Sequence, residues 1–132
     1  MKVFIDTSAI LAVLNVNDQN HAAAVNVWIA LLAQPQQLYI NNYVLVEIFT
    51  LLQNQFGLEA VHLFYNNVLP ALGITWVGES IHQQAVSAVL TANRRTLSLV
   101  DCTSFDTMRQ LGISQVFTFD EHFKEQGFEV IQ

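Results

Sequence analysis

Apolar residues fall along this chain in short runs and helical spacings that alternate with one another. Val3-Phe4-Ile5 is an apolar run that reads as a buried strand and stops abruptly at Asp6. Thr7 and Ser8 follow, then the apolar stretch Ala9 to Leu14; hydroxyl residues just before such a stretch are helix-start signals, because their oxygens accept the free N–H groups of a first turn. Asn15 to Asn20 is polar and reads as a loop. From His21 to Ala33 the positions Val25, Trp28, Ile29 and Leu32 recur at helical spacing, and Pro35 ends that helix.

Leu38-Tyr39-Ile40 reads as a second strand, and Asn41 or Asn42 caps a helix from Tyr43 to about Gln55 that stops at Gly57. A further helix is expected from about Leu58 to Leu69, ending at Pro70, and a strand over Ile74-Thr75-Trp76-Val77. Glu79 to about Ala92 is again helical, with Ile81, Ala85 and Val89 on one face. After a polar loop, Asn93 to Ser98, a helix runs from Asp101 to Leu111 and closes at Gly112, with core positions at Cys102, Phe105 and Met108. Val116-Phe117-Thr118-Phe119 reads as a strand ending in Asp120, and Phe128 to Ile131 as a last short strand. Strands alternating with helices imply a parallel sheet covered on both faces, a three-layer α/β sandwich. In such a sheet the ends of parallel strands share one edge, where ligands bind. Asp6 and Asp120 are both expected there.

Composition narrows the chemistry. Hydrophobic residues make up 52% of the 132 and charged residues only 12%, so one well-packed domain is expected, with apolar surface left for a partner. The net charge is −6, with 5 Lys+Arg against 11 Asp+Glu and no basic run beyond Arg94-Arg95. A nucleic-acid contact on such a chain needs bound cations, a second chain or a small footprint. Cys102 is the only cysteine, which excludes an intrachain disulfide and fits a reducing compartment. Asp6 interrupts the N-terminal apolar region before it reaches the length of a signal peptide, and no stretch is long enough to span a membrane.

Four carboxylates stand out. Asp6 and Asp120 each end a strand. Glu47 sits mid-helix among apolar residues, and its helical neighbours Tyr43, Val44, Thr50 and Leu51 include no Lys or Arg. A charge there is costly unless a cation compensates it or the residue lies at the solvent edge. Asp101 opens its helix and reads as an N-cap, a role compatible with ligating a metal at a cleft edge. Gathered in one cleft, these groups form an oxygen-ligand site suited to a hard cation such as Mg²⁺ or Mn²⁺, which activates water against a phosphodiester. Asp106 is set apart, because Arg109 three positions on provides a surface ion pair. His21, His62, His82 and His122 are scattered without zinc spacing; His122, two residues after Asp120, reads as an exposed residue or an auxiliary to the site.

Phe4-Ile5-Asp6-Thr7-Ser8-Ala9, Val46-Glu47-Ile48, Leu97 to Phe105 and Phe117-Thr118-Phe119-Asp120-Glu121-His122-Phe123, in that order and spacing over essentially the whole chain, resemble the PIN domain. They are most similar to the VapC-type toxins of bacterial toxin–antitoxin pairs. The resemblance implies one PIN-like nuclease domain over residues 1–132, with sheet order 3-2-1-4-5. It implies a cytoplasmic, Mg²⁺- or Mn²⁺-dependent endoribonuclease that forms homodimers and binds an antitoxin segment in a groove near the active site. Asp6, Glu47, Asp101 and Asp120 carry over as metal ligands, and Thr7 or Ser8 as an oxygen donor to the metal or to a carboxylate. Two departures are Val100, where relatives often carry Thr or another polar residue, and the acidic balance of the chain.

Two other classes are weighed against this one. A phosphatase of the haloacid-dehalogenase type needs a second Asp two residues after the first, and Ser8 stands there. A non-catalytic RNA- or partner-binding module would have no need for all four carboxylates. Turnover separates it from the nuclease.

Overall fold

Val3, Phe4 and Ile5 are all fully buried. Successive strand residues point to opposite sides of a sheet, so both faces of this strand are covered, as a central strand of a parallel sheet requires. A computed structural model describes residues 1–34 and 37–132 and has this arrangement. The strand, β1 (Lys2–Ile5), lies mid-sheet with β2 (Gln37–Asn41), β3 (Gly73–Thr75), β4 (Gln115–Phe117) and β5 (Glu129–Ile131). The order is β3-β2-β1-β4-β5, every pairing is parallel, and Phe4 is in register with Tyr39 on one side and Val116 on the other.

The helices are α1 (Thr7–Leu14), α2 (His21–Ala33), α3 (Asn42–Phe56), α4 (Leu58–Leu63), α5 (Glu79–Ala92), α6 (Leu99–Leu111) and the short α7 (His122–Glu125). Gly57, at φ +85°, both stops α3 and opens α4, and Gly112, at φ +68°, closes α6; both are backbone positions that favour glycine. The expected termination of α2 at Pro35 lies outside the described residues.

Two side-chain clusters fix the helices that carry the carboxylates. Asn41, fully buried, accepts the Val44 N–H at 2.8 Å as the N-cap of α3. Its amide donates to the Thr103 and Thr107 hydroxyls of α6 at 3.3 and 3.1 Å. One residue therefore ties α3, which carries Glu47, to α6, which carries Asp101. On the other side Phe105 packs edge-on against Phe123 at 5.0 Å and stacks on Phe128 at 6.0 Å, locking α6 to α7 and to the residue that precedes β5.

Several local expectations shift. The cap of α1 is Asp6 itself rather than Thr7 or Ser8. The buried face of α2 is Ala24, Trp28 and Leu31, while Ile29 and Leu32 are exposed, because this helix is apolar nearly all round and presents two stripes of equal spacing. The helix expected to Leu69 is α-helical only to Leu63, then widens into a π turn, Phe64–Val68, and a tight turn, Leu69–Ala71, in which Pro70 offers no N–H. β3 stops at Thr75, because the Val77 N–H turns to the Asn42 side chain and Trp76 swings into solvent. Helix α6 starts at Leu99 with Ser98 as its cap, so Asp101 is not the N-cap. β4 ends at Phe117, two residues short of the expected bound.

Candidate active site

Strand β1 delivers Asp6 to the sheet edge, where its N–H still bonds Phe117 O at 3.0 Å across to β4. Beyond that point the segments that follow β1 and β4 are held by side chains. The Ser8 hydroxyl donates to Asp6 Oδ2 at 2.7 Å, and the Thr118 hydroxyl donates to the same oxygen at 2.9 Å. Each hydroxyl also accepts a backbone N–H of the loop: Phe119 N–H bonds Ser8 Oγ at 3.0 Å and Asp120 N–H bonds Thr118 Oγ1 at 2.9 Å. These bonds pull residues 118–120 off the ladder and set Asp120 beside Asp6.

Asp101 occupies the third position of α6 and closes a capping box: its Oδ2 accepts the Ser98 N–H at 3.1 Å while Ser98 Oγ accepts the Asp101 N–H at 3.0 Å. Asp120 Oδ1 accepts the His122 N–H at 2.9 Å. Glu47 reaches in, half-buried, from the second turn of α3. All six residues singled out in the sequence (Asp6, Thr7, Ser8, Glu47, Asp101 and Asp120) line one open cleft of about 310 Å³, with Leu11, Leu51, Thr96 and Ser98 completing the wall.

The hydrogen bonds divide each aspartate in the same way. Asp6 Oδ2, Asp101 Oδ2 and Asp120 Oδ1 are engaged by protein donors, and among the described residues no hydrogen bond reaches the other oxygen of each. Thr7 Oγ1 is buried with no partner in hydrogen-bond geometry, although it lies near enough to Glu47 to ease that group's ionisation. A set of free carboxylate oxygens with an orphaned hydroxyl beside them is an all-oxygen donor set, which suits a hard divalent cation.

The electrostatics point the same way. Burial pushes Asp6 from an ordinary 3.8 up to about 6; the Ser8 and Thr118 hydroxyls oppose the rise, and the Asp101 and Asp120 charges add to it. Glu47 is raised by burial and then by Asp6 and Asp120, and Asp101 by burial and by Asp120. Three carboxyls raised together mark a cluster short of positive charge.

Of the two readings of His122, an exposed residue or an auxiliary to the site, the exposed one does not hold. Its side chain is 12% exposed, its Nε2 lies 3.0 Å from Thr96 O, and one of its ring nitrogens is within 4.8 Å of oxygens of both Asp101 and Asp120. Asp106 behaves as expected, 3.9 Å from Arg109 and outside the cleft. Thr118, fully buried, is the residue that sequence reasoning missed; the available signal was one hydroxyl inside an apolar run just ahead of Asp120.

The chain matches the PIN domain family over residues 3–129. Among curated proteins, the 23S rRNA-specific endonuclease VapC20 of Mycobacterium tuberculosis is 32% identical over 127 residues, covering 96% of this chain and 95% of the relative. The crystal structure of M. tuberculosis VapC20, described as a Sarcin-Ricin loop cleaving toxin, superposes with a TM-score of 0.84 at 31% identity, over 96% of this chain and 95% of that one. FitAcB from Neisseria gonorrhoeae, with a TM-score of 0.69 at 20% identity, covers 98% of this chain and 96% of its own. VapBC2 from Rickettsia felis, solved with promoter DNA, has a TM-score of 0.66 at 12% identity over 99% and 98%. These last two share the fold.

Proposed function

The chain belongs to the PIN domain family, and from that membership we propose that it is a divalent-metal-dependent endoribonuclease, the toxin of a toxin–antitoxin pair. The observation that carries the reading is the division of the aspartates: in each, one oxygen is held by protein donors and the other is left to the cleft. A non-catalytic module has no use for that arrangement. Asp6, Glu47, Asp101 and Asp120 hold Mg²⁺ or Mn²⁺, with Thr7 as a further oxygen donor. When bound, the cation supplies an activated water and stabilises charge on the phosphodiester. Ser8 and Thr118 orient Asp6, and the capping box orients Asp101.

A relative at 32% identity, named as a 23S rRNA-specific endonuclease, supports ribosomal RNA as the substrate class. An apolar groove of about 540 Å³ beside the cleft, walled by Tyr43, Val46, Thr50, Leu51 and Val100, supports an antitoxin segment as partner. Exposed Ile29, Leu32 and Leu90 leave apolar surface for a homodimer. No described helix is long and apolar enough to cross a membrane. The reading includes a cytoplasmic location, where ribosomal RNA is found.

The test is a gel assay on total cellular RNA with purified protein in Mg²⁺, in Mn²⁺ and in EDTA, beside Asp6→Asn. Discrete metal-dependent products that vanish in the variant are expected. Full activity in a folded Asp6→Asn protein overturns the site assignment, and absence of products from the parent protein on ribosomal RNA in either metal overturns the activity.

A further inference from the structure

A ribonuclease with 5 Lys+Arg against 11 Asp+Glu must concentrate its few cations where the RNA backbone runs. Most of them are already occupied. Lys2 Nζ donates to Leu111 O at 3.5 Å and lies 6.0 Å from the Tyr39 ring, and it begins the strand whose far end carries Asp6. Arg109 is held by Gln126 at 2.8 Å and Asp106 at 3.9 Å, with its guanidinium 5.2 Å from the Phe128 ring. Arg94 is bound bidentately by Glu125 at 2.7 and 3.4 Å. Arg95 and Lys124 are exposed, and their side chains make no hydrogen bond or ion pair among the described residues.

Both free cations are carried by segments that adjoin one rim of the cleft. Arg95 precedes Thr96, which lines the cleft together with Ser98. Lys124 is on α7, which begins two residues after Asp120. The Arg94–Glu125 pair and the bond between His122 Nε2 and Thr96 O clamp α7 to the 93–98 segment, so the two cations are carried on a single joined unit. That unit holds Arg94, Arg95 and Lys124 against Glu121 and Glu125, and Glu125 is neutralised by Arg94, so it is cationic on an acidic molecule.

We propose that this rim is the contact surface for the RNA sugar–phosphate backbone next to the scissile position, with Arg95 the direct phosphate ligand and Lys124 its flank. A guanidinium presents a planar fork of donors that matches phosphate oxygens. The Arg94–Glu125 pair then serves as the scaffold that presents Arg95 beside the carboxylates. The inference rests on the ribonuclease reading above.

The test compares cleavage kinetics of the parent protein, Arg95→Ala, Arg95→Lys and Arg109→Ala in Mn²⁺ across a salt series. Binding of a fluorescent single-stranded RNA to Asp6→Asn and to Asp6→Asn/Arg95→Ala is measured beside it. Arg95→Ala is expected to raise KM about five- to tenfold with kcat within about twofold, and to lower the slope of log affinity against log salt by about 0.7, the value for one lost phosphate contact on a single strand. Arg95→Lys should recover part of the loss. Arg109→Ala, the same charge change elsewhere, should do neither. A parent enzyme that cuts RNA while Arg95→Ala matches it in KM and salt slope overturns the rim and leaves the ribonuclease standing. A parent that neither binds nor cuts RNA overturns both.

Discussion

At the scale of single residues, the count of hydrogens at Asp6 decides how the site is built. Ser8 Oγ and Thr118 Oγ1 lie 3.2 Å apart, close enough to bond each other, yet each is also within 2.9 Å of Asp6 Oδ2. A hydroxyl has one hydrogen to give. With the carboxylate ionised, both hydrogens go to Oδ2, each hydroxyl keeps its lone pairs for a backbone N–H, and Oδ1 is left over for the cleft. Thr118→Val keeps the shape and removes the hydroxyl. It takes one of the two hydroxyl donors from Asp6 and leaves the Asp120 N–H without its acceptor. We expect a loss of about 1–3 kcal/mol in denaturant unfolding, the cost of a buried polar group left unpaired. Metal-dependent cleavage should fall at least tenfold, because two ligands lose their orientation together, and Mn²⁺ binding by calorimetry should weaken with it. Thr118→Ser should restore most of both. A valine variant that binds Mn²⁺ and cuts RNA like the parent protein would show that the hydroxyl only fills space.

At the scale of elements, Asn41 is the joint between the two helices that carry Glu47 and Asp101. Its carboxamide oxygen caps α3 and its amide nitrogen serves Thr103 and Thr107 of α6. Asn41→Ala should therefore lower stability by about 2–3 kcal/mol, more than a lost helix cap alone, which costs about 1. A loss under about 1 kcal/mol by chemical denaturation would show that the amide contributes nothing beyond the cap. Half of this was legible beforehand. An Asn after an apolar strand announces a cap, but the amide's partners lie 62 and 66 residues away and no local pattern points to them. The same limit hid Thr118, which bonds a residue 112 positions distant and reads locally as one more core position. Asp101 was misread for a different reason. Ser98 and Asp101 are both capping types three residues apart, and Leu99-Val100 between them fits either a preceding run or a first turn. By contrast, the alternation of strands and helices survived almost whole. The four carboxylates that the fold brings into one cleft were also legible, because each breaks a hydrophobic pattern at a place where an acid is costly.

At the scale of the whole molecule, the clustered acids make stability depend on pH and metal together. Asp6, Glu47 and Asp101 all have folded pKa values above their ordinary ones, chiefly through burial. A carboxyl raised in this way favours folding while it is protonated. Its contribution is complete below the unfolded value and is lost as pH rises through the folded value. For Asp6, raised from 3.8 to about 6, the loss falls between about pH 4 and 6 and amounts to on the order of 3 kcal/mol. Glu125 is shifted the other way by Arg94, but that pair is exposed and screened. The net charge of −6 at pH 7 adds self-repulsion at the same end of the scale. The metal-free protein should thus melt lower at pH 7 than at pH 5, the reverse of a protein held together by ionised carboxylates. Mn²⁺ should reverse the trend, because the deprotonated carboxylates bind it and a cation at a hundred times its Kd adds about 2.7 kcal/mol. Thermal melts from pH 4.5 to 7.5 in EDTA and in excess Mn²⁺ would display two curves that diverge as pH rises. Asp6→Asn should flatten the EDTA curve and shrink the gap. An EDTA melting temperature that climbs steadily to pH 7, with no separation in Mn²⁺, would mean that the cleft is an ordinary solvated acidic surface and that these carboxylates do not act as one cation site.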